Sequence, residues 1–351
     1  METLGTVTRY RRLSRARAFG VILLAAAALA ACLAAAAPGA SREPQASPAD
    51  VPLYKRVVER LRGGEAYYEV LRSELPARRF ATRSVFNWRT PLHLELIAQL
   101  ADADRARGVL ATLALAAVAL SSLALVRTYG VALAPLQFAL LVIPLSAALV
   151  PVGYLFSEMW AGVLIAISIA CYSLHWRRTG LAAAFAGLFL RELALPYVGL
   201  CLIFSLCERR RAECWLWLAG AGAWVLYFAL HYAAVVAHMP PTAEAIAGRS
   251  WLHFGGLHFL LITSRVGLLL AFPLTVTAVY LLLAVLGVLA PTGPASTRLA
   301  ATVAVYLLSF TVVGLPFNFY WGGVYCPLLA LGATWALPAC RDLLRAIRSP
   351  L

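Results

Sequence analysis

Between Gly108 and Pro338 the chain passes through one apolar stretch after another. They are Gly108 to Val126, Val131 to Val150, Glu158 to Leu174, Trp215 to His238, Phe272 to Leu289, Leu299 to Gly314 and Val324 to Pro338. An apolar stretch of about 20 residues makes a helix of about 30 Å, the thickness of a bilayer's hydrocarbon core. No water is available there, so the backbone must hydrogen-bond to itself; stretches without period-2 alternation leave the α-helix as the solution. The fold class is therefore all-α, a polytopic membrane protein surrounded by membrane lipids. Composition agrees: the 351 residues are 62% hydrophobic and 13% charged, with a mean hydropathy of +0.79, far from the average of soluble domains.

A further span precedes these. Five arginines from Arg9 to Arg17 lead into the apolar run Ala18 to Pro38, and their charge orients the N-terminus inside. Leu29-Ala30-Ala31-Cys32 has the form of a bacterial lipoprotein cleavage box, but such matches are frequent in alanine-rich helices, and the segment is read as an uncleaved first span. Counting on, Arg127, Trp176-Arg177-Arg178, Arg298 and the run Arg341 to Arg348 fall inside, so both termini are cytoplasmic. The net charge of +14 is nearly all arginine, Lys55 being the only lysine. In such a chain the excess marks cytoplasmic loops and phosphate contacts, not nucleic acid as a partner. The seven cysteines lie in or beside apolar spans without paired metal-ligand spacing and are read as small core residues.

The segment from Gly180 to Cys207 decides the span count. As one helix it would hold Arg191 and Glu192 at mid-bilayer, at about 2.5 to 3.5 kcal/mol for the arginine, and would put Arg209-Arg210-Arg211 outside. A hairpin of two short legs, Gly180 to Leu190 and Ala194 to Cys207, removes both faults, with Pro196 breaking the helix near the turn. This gives about ten spans or half-spans in a single integral membrane domain. A second outer segment, 239–270, carries Pro240, Pro241 and Gly255-Gly256. Within it Leu257 to Leu270 reads either as a helix lying along or dipping into the outer interface or as part of one kinked helix.

Polar chemistry must be sought in the first outer loop, 39–107, and at the hairpin tip. Tyr54, Val57, Val58 and Leu61 recur at helical spacing after Asp50, so a helix lies on the membrane with Asp50 at its start; spacing alone makes Asp50 a cap. Gly63-Gly64 ends that helix, and Tyr68, Leu71 and Leu75 begin a second. Phe86-Asn87-Trp88-Arg89-Thr90-Pro91 offers groups that stack on or hydrogen-bond to a polar ligand, or an interfacial aromatic belt. Glu158 opens a span in its first turn, where the helix dipole favours an acid. Arg191-Glu192 inside the membrane profile marks a functional site, with a mutual ion pair as the competing account. Asp50, Glu158 and the Arg191-Glu192 tip fall on one side, where a single cavity can collect them. Phe317 to Gly323, rich in flat rings, reads as an outer aromatic belt with sugar stacking as the alternative. The six histidines show no metal spacing, and Asp102-Ala103-Asp104 is only a weak metal-nucleotide match.

The pattern Asp50-x-x-x-Tyr54 followed by Arg62-Gly63-Gly64-Glu65-Ala66-Tyr67-Tyr68 resembles the GT-C superfamily of polyprenyl-phosphate-sugar glycosyltransferases, nearest the bacterial mannosyltransferase-like families with a D-x-x-x-Y and G-x-x-Y loop. The likeness extends loosely to Glu158 and to the basic residue at the Arg191 tip, over roughly the first 210 residues. It implies a cell-envelope enzyme of the bacterial plasma membrane with Asp50 as the catalytic carboxylate, taking the proton of an acceptor hydroxyl. Tyr54, Arg89, Glu158, Arg191 and Glu192 would hold a lipid-linked sugar donor, with no metal or cofactor. The chain departs from the family in being short, with no soluble C-terminal domain to hold an acceptor. Two other functions fit the composition: a transporter or flippase for a lipid-linked or anionic substrate, against which stands the lack of an internal repeat, and a non-catalytic membrane scaffold.

Overall fold

The computed structural model describes residues 8–37, 50–241 and 250–348; the beginning of segment 39–107 and part of segment 239–270 lie outside these. In chain order the helices are α1 (Arg15–Ala35), α2 (Asp50–Arg62), α3 (Tyr67–Ala77), α4 (Val85–Trp88), α5 (Leu92–Gln99), α6 (Ala103–Tyr129), α7 (Ala134–Leu145) and α8 (Ser157–Ser173). They continue with α9 (Arg177–Leu190), α10 (Leu195–Cys207), α11 (Arg211–His238), α12 (Gly256–Ser264), α13 (Leu274–Val288), α14 (Pro294–Val312), α15 (Cys326–Ala333) and α16 (Ala336–Arg348). Among the described residues the only β pairing is an isolated antiparallel bridge between Leu252 and Val313.

Four of these helices, α1, α6, α11 and α14, are long and apolar enough to cross a membrane. Their burial differs in a way that lipid explains. In α1 only Ala18 and Cys32 are buried, and α11 leaves Trp215, Leu226 and Leu230 exposed; an apolar helix with so little protein cover belongs against hydrocarbon. By contrast α8 is buried along nearly its whole length, enclosed by α6, α9, α14, α15 and the 3₁₀ segment Pro316–Val324. It is the axis of the core, about 25 Å long.

The two ends of α8 define the two ends of the molecule. At its last turn the Tyr172 hydroxyl donates to Glu213 at 2.7 Å, and Ser205 donates to the same carboxylate at 3.1 Å. Here too lies Arg298, its guanidinium 4.0 Å from the Tyr172 ring centroid and 4.9 Å from that of Phe204. Arg298 is an inside residue by count, but only 4% exposed: its stem and head are enclosed by rings. Farther along this end the Thr8 amide donates to Asp342 at 2.9 Å and Arg9 to the Pro291 carbonyl at 2.8 Å, so the N-terminal turn, the α13–α14 connection and α16 meet. At the other end of α8 stands Glu158.

The chain departs from its hydropathy profile at its last span. Val324 to Pro338 reads as one span, yet α15 stops at Ala333 and α16 begins at Ala336. Pro338 explains the break: inside a continuous helix its ring would meet the carbonyl of Thr334, whereas in the first turn of a new helix its missing N–H has no consequence. Leu257 to Leu270 becomes α12 and a 3₁₀ turn, and Phe259 to Ser264 are all buried. This helix packs on α14 and on the 3₁₀ segment.

Candidate active site

The segment between α1 and α6 is built to hold α2 in place. Leu53, Tyr54, Val57 and Val58 form its buried face, and the chain reverses at Gly64, whose φ of +86° suits a residue without Cβ. Glu74 of α3 then ties the two helices, receiving Arg60 at 3.0 Å, Arg56 at 3.7 Å and Arg78. Tyr68 locks this unit to α11 through a 3.0 Å hydrogen bond with His231. The result is a fixed position for Asp50, the first residue of α2, which is 6% exposed.

Arg89 arrives by a strained turn. Its φ of +53° and ψ of 155° lie where residues with a side chain rarely settle, at a cost of order 1–3 kcal/mol. The turn is held by Tyr67, whose hydroxyl donates to the Trp88 carbonyl at 2.8 Å and to that of Arg89 at 3.3 Å, and by the Trp88 indole, which donates to Thr82 at 2.8 Å. So placed, the Arg89 guanidinium stands 5.6 Å from the Tyr54 ring centroid, 2.9 Å from Glu158 Oε1 and 3.2 Å from the Tyr320 hydroxyl.

Arg191 comes from the break between α9 and α10. The helix stops at Leu190, Arg191 is extended at φ −153°, and a 3₁₀ turn over Glu192–Ala194 leads into α10 with Pro196 in its first turn. One terminal nitrogen of Arg191 lies 2.9 Å from Glu158 Oε1 and the other 2.7 Å from Glu192. A single oxygen of Glu158 thus receives both arginines. Two cations and two carboxylates balance, which is the condition for burying them at all. Asp50 is the fifth charge. Burial pushes its pKa above the usual carboxylate range against the pull of Arg89; the nearby Glu158 charge pushes the same way, while a hydrogen bond from Tyr320 opposes it.

These groups open on a cavity of about 520 Å³ whose wall includes Asp50, Tyr54, Arg89, Arg191, Glu192 and Trp321. Beside these charges the wall is aromatic. Trp251 and Trp321 stack with centroids 5.8 Å apart, and Arg191 lies 5.9 Å from the Trp321 ring centroid. The Trp321 indole N–H is buried without a protein partner. The segment that carries Tyr320 and Trp321 lies backbone to backbone on its supports: a Cβ on Gly162 would collide with the Gly323 carbonyl, and one on Gly322 with that of Thr263.

All six residues singled out in the sequence, Asp50, Tyr54, Arg89, Glu158, Arg191 and Glu192, therefore meet around one cavity and its inner annex. Phe317 to Gly323, read chiefly as a membrane belt, supplies Asn318, Tyr320 and Trp321 to the same wall. Its two adjacent glycines were the signal that the backbone there lies close against its supports. His93, set aside in the sequence, is 3% exposed beside Glu158. Asp102 serves as a helix cap, accepting from the Arg105 amide at 2.7 Å, and Asp104 pairs with Arg107. The seven cysteines are free thiols. No family model, curated protein or solved structure matches the chain significantly.

Proposed function

We propose that the protein is an integral membrane glycosyltransferase of the GT-C type, moving a sugar from a polyprenyl-phosphate donor to an acceptor hydroxyl at the outer face of a bacterial plasma membrane. About ten spans or half-spans cross or enter the bilayer and both termini are cytoplasmic. The observation that carries this reading is a buried carboxylate, Asp50, in the wall of a cavity of about 520 Å³ that also presents two arginines and flat rings. Asp50 takes the proton of the acceptor hydroxyl as that oxygen attacks the anomeric carbon from the side opposite the phosphate. The carbon–oxygen bond to phosphate breaks, the lipid phosphate leaves with the electron pair, and the configuration inverts. A pKa raised by burial suits a base.

Arg191 and Arg89 face the charge that grows on the leaving phosphate, in the role a metal takes elsewhere. Their ties to Glu158 and Glu192 hold the guanidinium heads before substrate arrives, so little reorganisation is needed. Tyr54 packs under Arg89, and Trp251 and Trp321 offer ring faces to a sugar. The D-x-x-x-Y resemblance points the same way. The test is incubation of protein-containing membranes with labelled polyprenyl-phosphate sugars: label moves to an acceptor, and Asp50→Asn abolishes the movement while the chain still inserts and folds. Unchanged transfer in Asp50→Asn would sink the role of Asp50. A transporter or flippase would carry the labelled lipid across the bilayer intact, and a scaffold would do neither.

A further inference from the structure

Behind the charged cluster lies an annex with about 10 Å³ of space for a water's centre, room for about one molecule. Its wall includes His93, Glu158 and Arg191. On these three side chains one polar atom each is buried without a hydrogen-bond partner in the protein: His93 Nε2, Glu158 Oε2 and Arg191 Nε. The residues are 3%, 1% and 3% exposed. Buried polar atoms are seldom left unpaired, and three on side chains that line one void point to a common partner.

The chemistry of the three atoms selects that partner. Arg191 Nε–H can only donate, and the Glu158 carboxylate can only accept. The other ring nitrogen of His93 donates to the Tyr154 carbonyl, and burial pushes the ring's pKa down to about 3, so Nε2 presents a lone pair. The wall therefore asks for two donated hydrogens and offers one. A cation would stand against the guanidinium groups of Arg191 and Arg89. An anion would stand against Glu158, and a single hydroxyl lacks the second hydrogen. Water answers all three demands.

We infer that an ordered water is a built-in part of this cluster, donating to His93 Nε2 and Glu158 Oε2 and accepting from Arg191 Nε–H, and that His93 is thereby a positioning residue for Arg191. The two terminal nitrogens of Arg191 are held by Glu158 and Glu192; a third tie through Nε fixes the plane of the guanidinium as well as its place. The inference goes beyond the proposed glycosyl transfer and stands or falls apart from it, because its readouts need no turnover.

An experimental structure at a resolution that shows waters is expected to place one density peak within about 3.2 Å of all three atoms; a void without density overturns the inference. Nitrogen-15 spectra of His93 are expected to show Nε2 unprotonated from pH 5 to 8, whereas a protonated Nε2 at pH 7 would mean direct pairing with Glu158. In His93→Leu, exchange of the Arg191 Nε–H with solvent should rise about tenfold or more, and His93→Gln, which restores an acceptor, should recover most of it. If His93→Leu fails to fold, water density in His93→Gln within hydrogen-bond reach of the introduced amide oxygen, Glu158 Oε2 and Arg191 Nε decides the point. Exchange unchanged in a folded His93→Leu removes the positioning role.

Discussion

Arg191 and Arg298 are buried to nearly the same degree at opposite ends of α8, 3% and 4% exposed, yet their surroundings share little. Arg191 is held by two carboxylates and fronts a cavity of about 520 Å³. Arg298 lies between the rings of Tyr172 and Phe204 and donates to the Cys201 thiol at 3.0 Å, with no carboxylate in ion-pair distance among the described residues. Ring faces accept a cation through their quadrupole and fill the space around it, so Arg298 is satisfied and closed off. Carboxylates keep spare lone pairs, and beside open space such a cluster has capacity left for a ligand. Burial of a charge is therefore not by itself the mark of a site; unspent hydrogen-bonding capacity next to open volume is.

The largest expected effect tests the cavity end. Asp50→Asn should reduce transfer by about 10²- to 10⁴-fold, measured with labelled donor, while leaving the fold intact. Asp50 also carries a pH signature. Its folded pKa lies above its unfolded one, so the fold binds the proton more tightly than the open chain does. That contribution is whole below the unfolded value and is lost as pH rises through the folded one. At neutral pH Asp50→Asn should then unfold no more easily than the parent, and the acid limb of the parent's rate should lie above the ordinary carboxylate range. An acid limb at the unshifted value would show that Asp50 is solvated and not the buried base.

Next in size is Glu158→Leu, which leaves the buried Arg191 and the partly buried Arg89 short of their shared acceptor. A loss of about 3–5 kcal/mol is expected, read from thermal or denaturant unfolding in detergent or lipid. Arg298→Met should cost less, about 1–2 kcal/mol, because it removes a cation–ring contact and replaces the stem with a side chain of similar volume. Equal losses in the two variants would erase the distinction between a paired cluster and a ring-filled one. Smallest is Tyr67→Phe, at about 0.5–1.5 kcal/mol. It removes the ties on the strained Arg89 turn, and a change in donor KM larger than the change in stability would show that the turn's conformation serves the cavity.

How far these two ends can be read from the chain depends on what each contact requires. The α2 helix, its end at Gly64 and the break at Arg191 rest on local rules of periodicity, glycine and buried charge, and they stand in the sequence. The meeting of Arg89 with Glu158 joins positions 69 residues apart, and Arg89 with Tyr320 joins positions 231 apart. No local rule fixes such a distance. His93 could not be found because a lone histidine carries no spacing, and its importance lies in what it faces. Hydropathy misled at Thr334-Trp335 because it measures how apolar a segment is and is blind to a proline that ends one helix and starts another. Arg298 reads in the sequence as an inside charge, but its enclosure by Tyr172 and Phe204 depends on α8 and α10 arriving from elsewhere.

The bare backbone contacts of Gly162 and Gly322 carry a consequence for how this molecule can change. Where two main chains already touch, neither an added side chain nor a sliding motion is tolerated, so the Tyr320–Trp321 wall behaves as the cast part of a mould. Residues such as Arg79 and Phe86 line the same cavity from a loop and a short helix, without that constraint. Descendants of this chain that acquire a different ligand would be expected to do so by exchanging those outer residues, leaving the glycines and the ring pair as the inherited shape around which variety is possible.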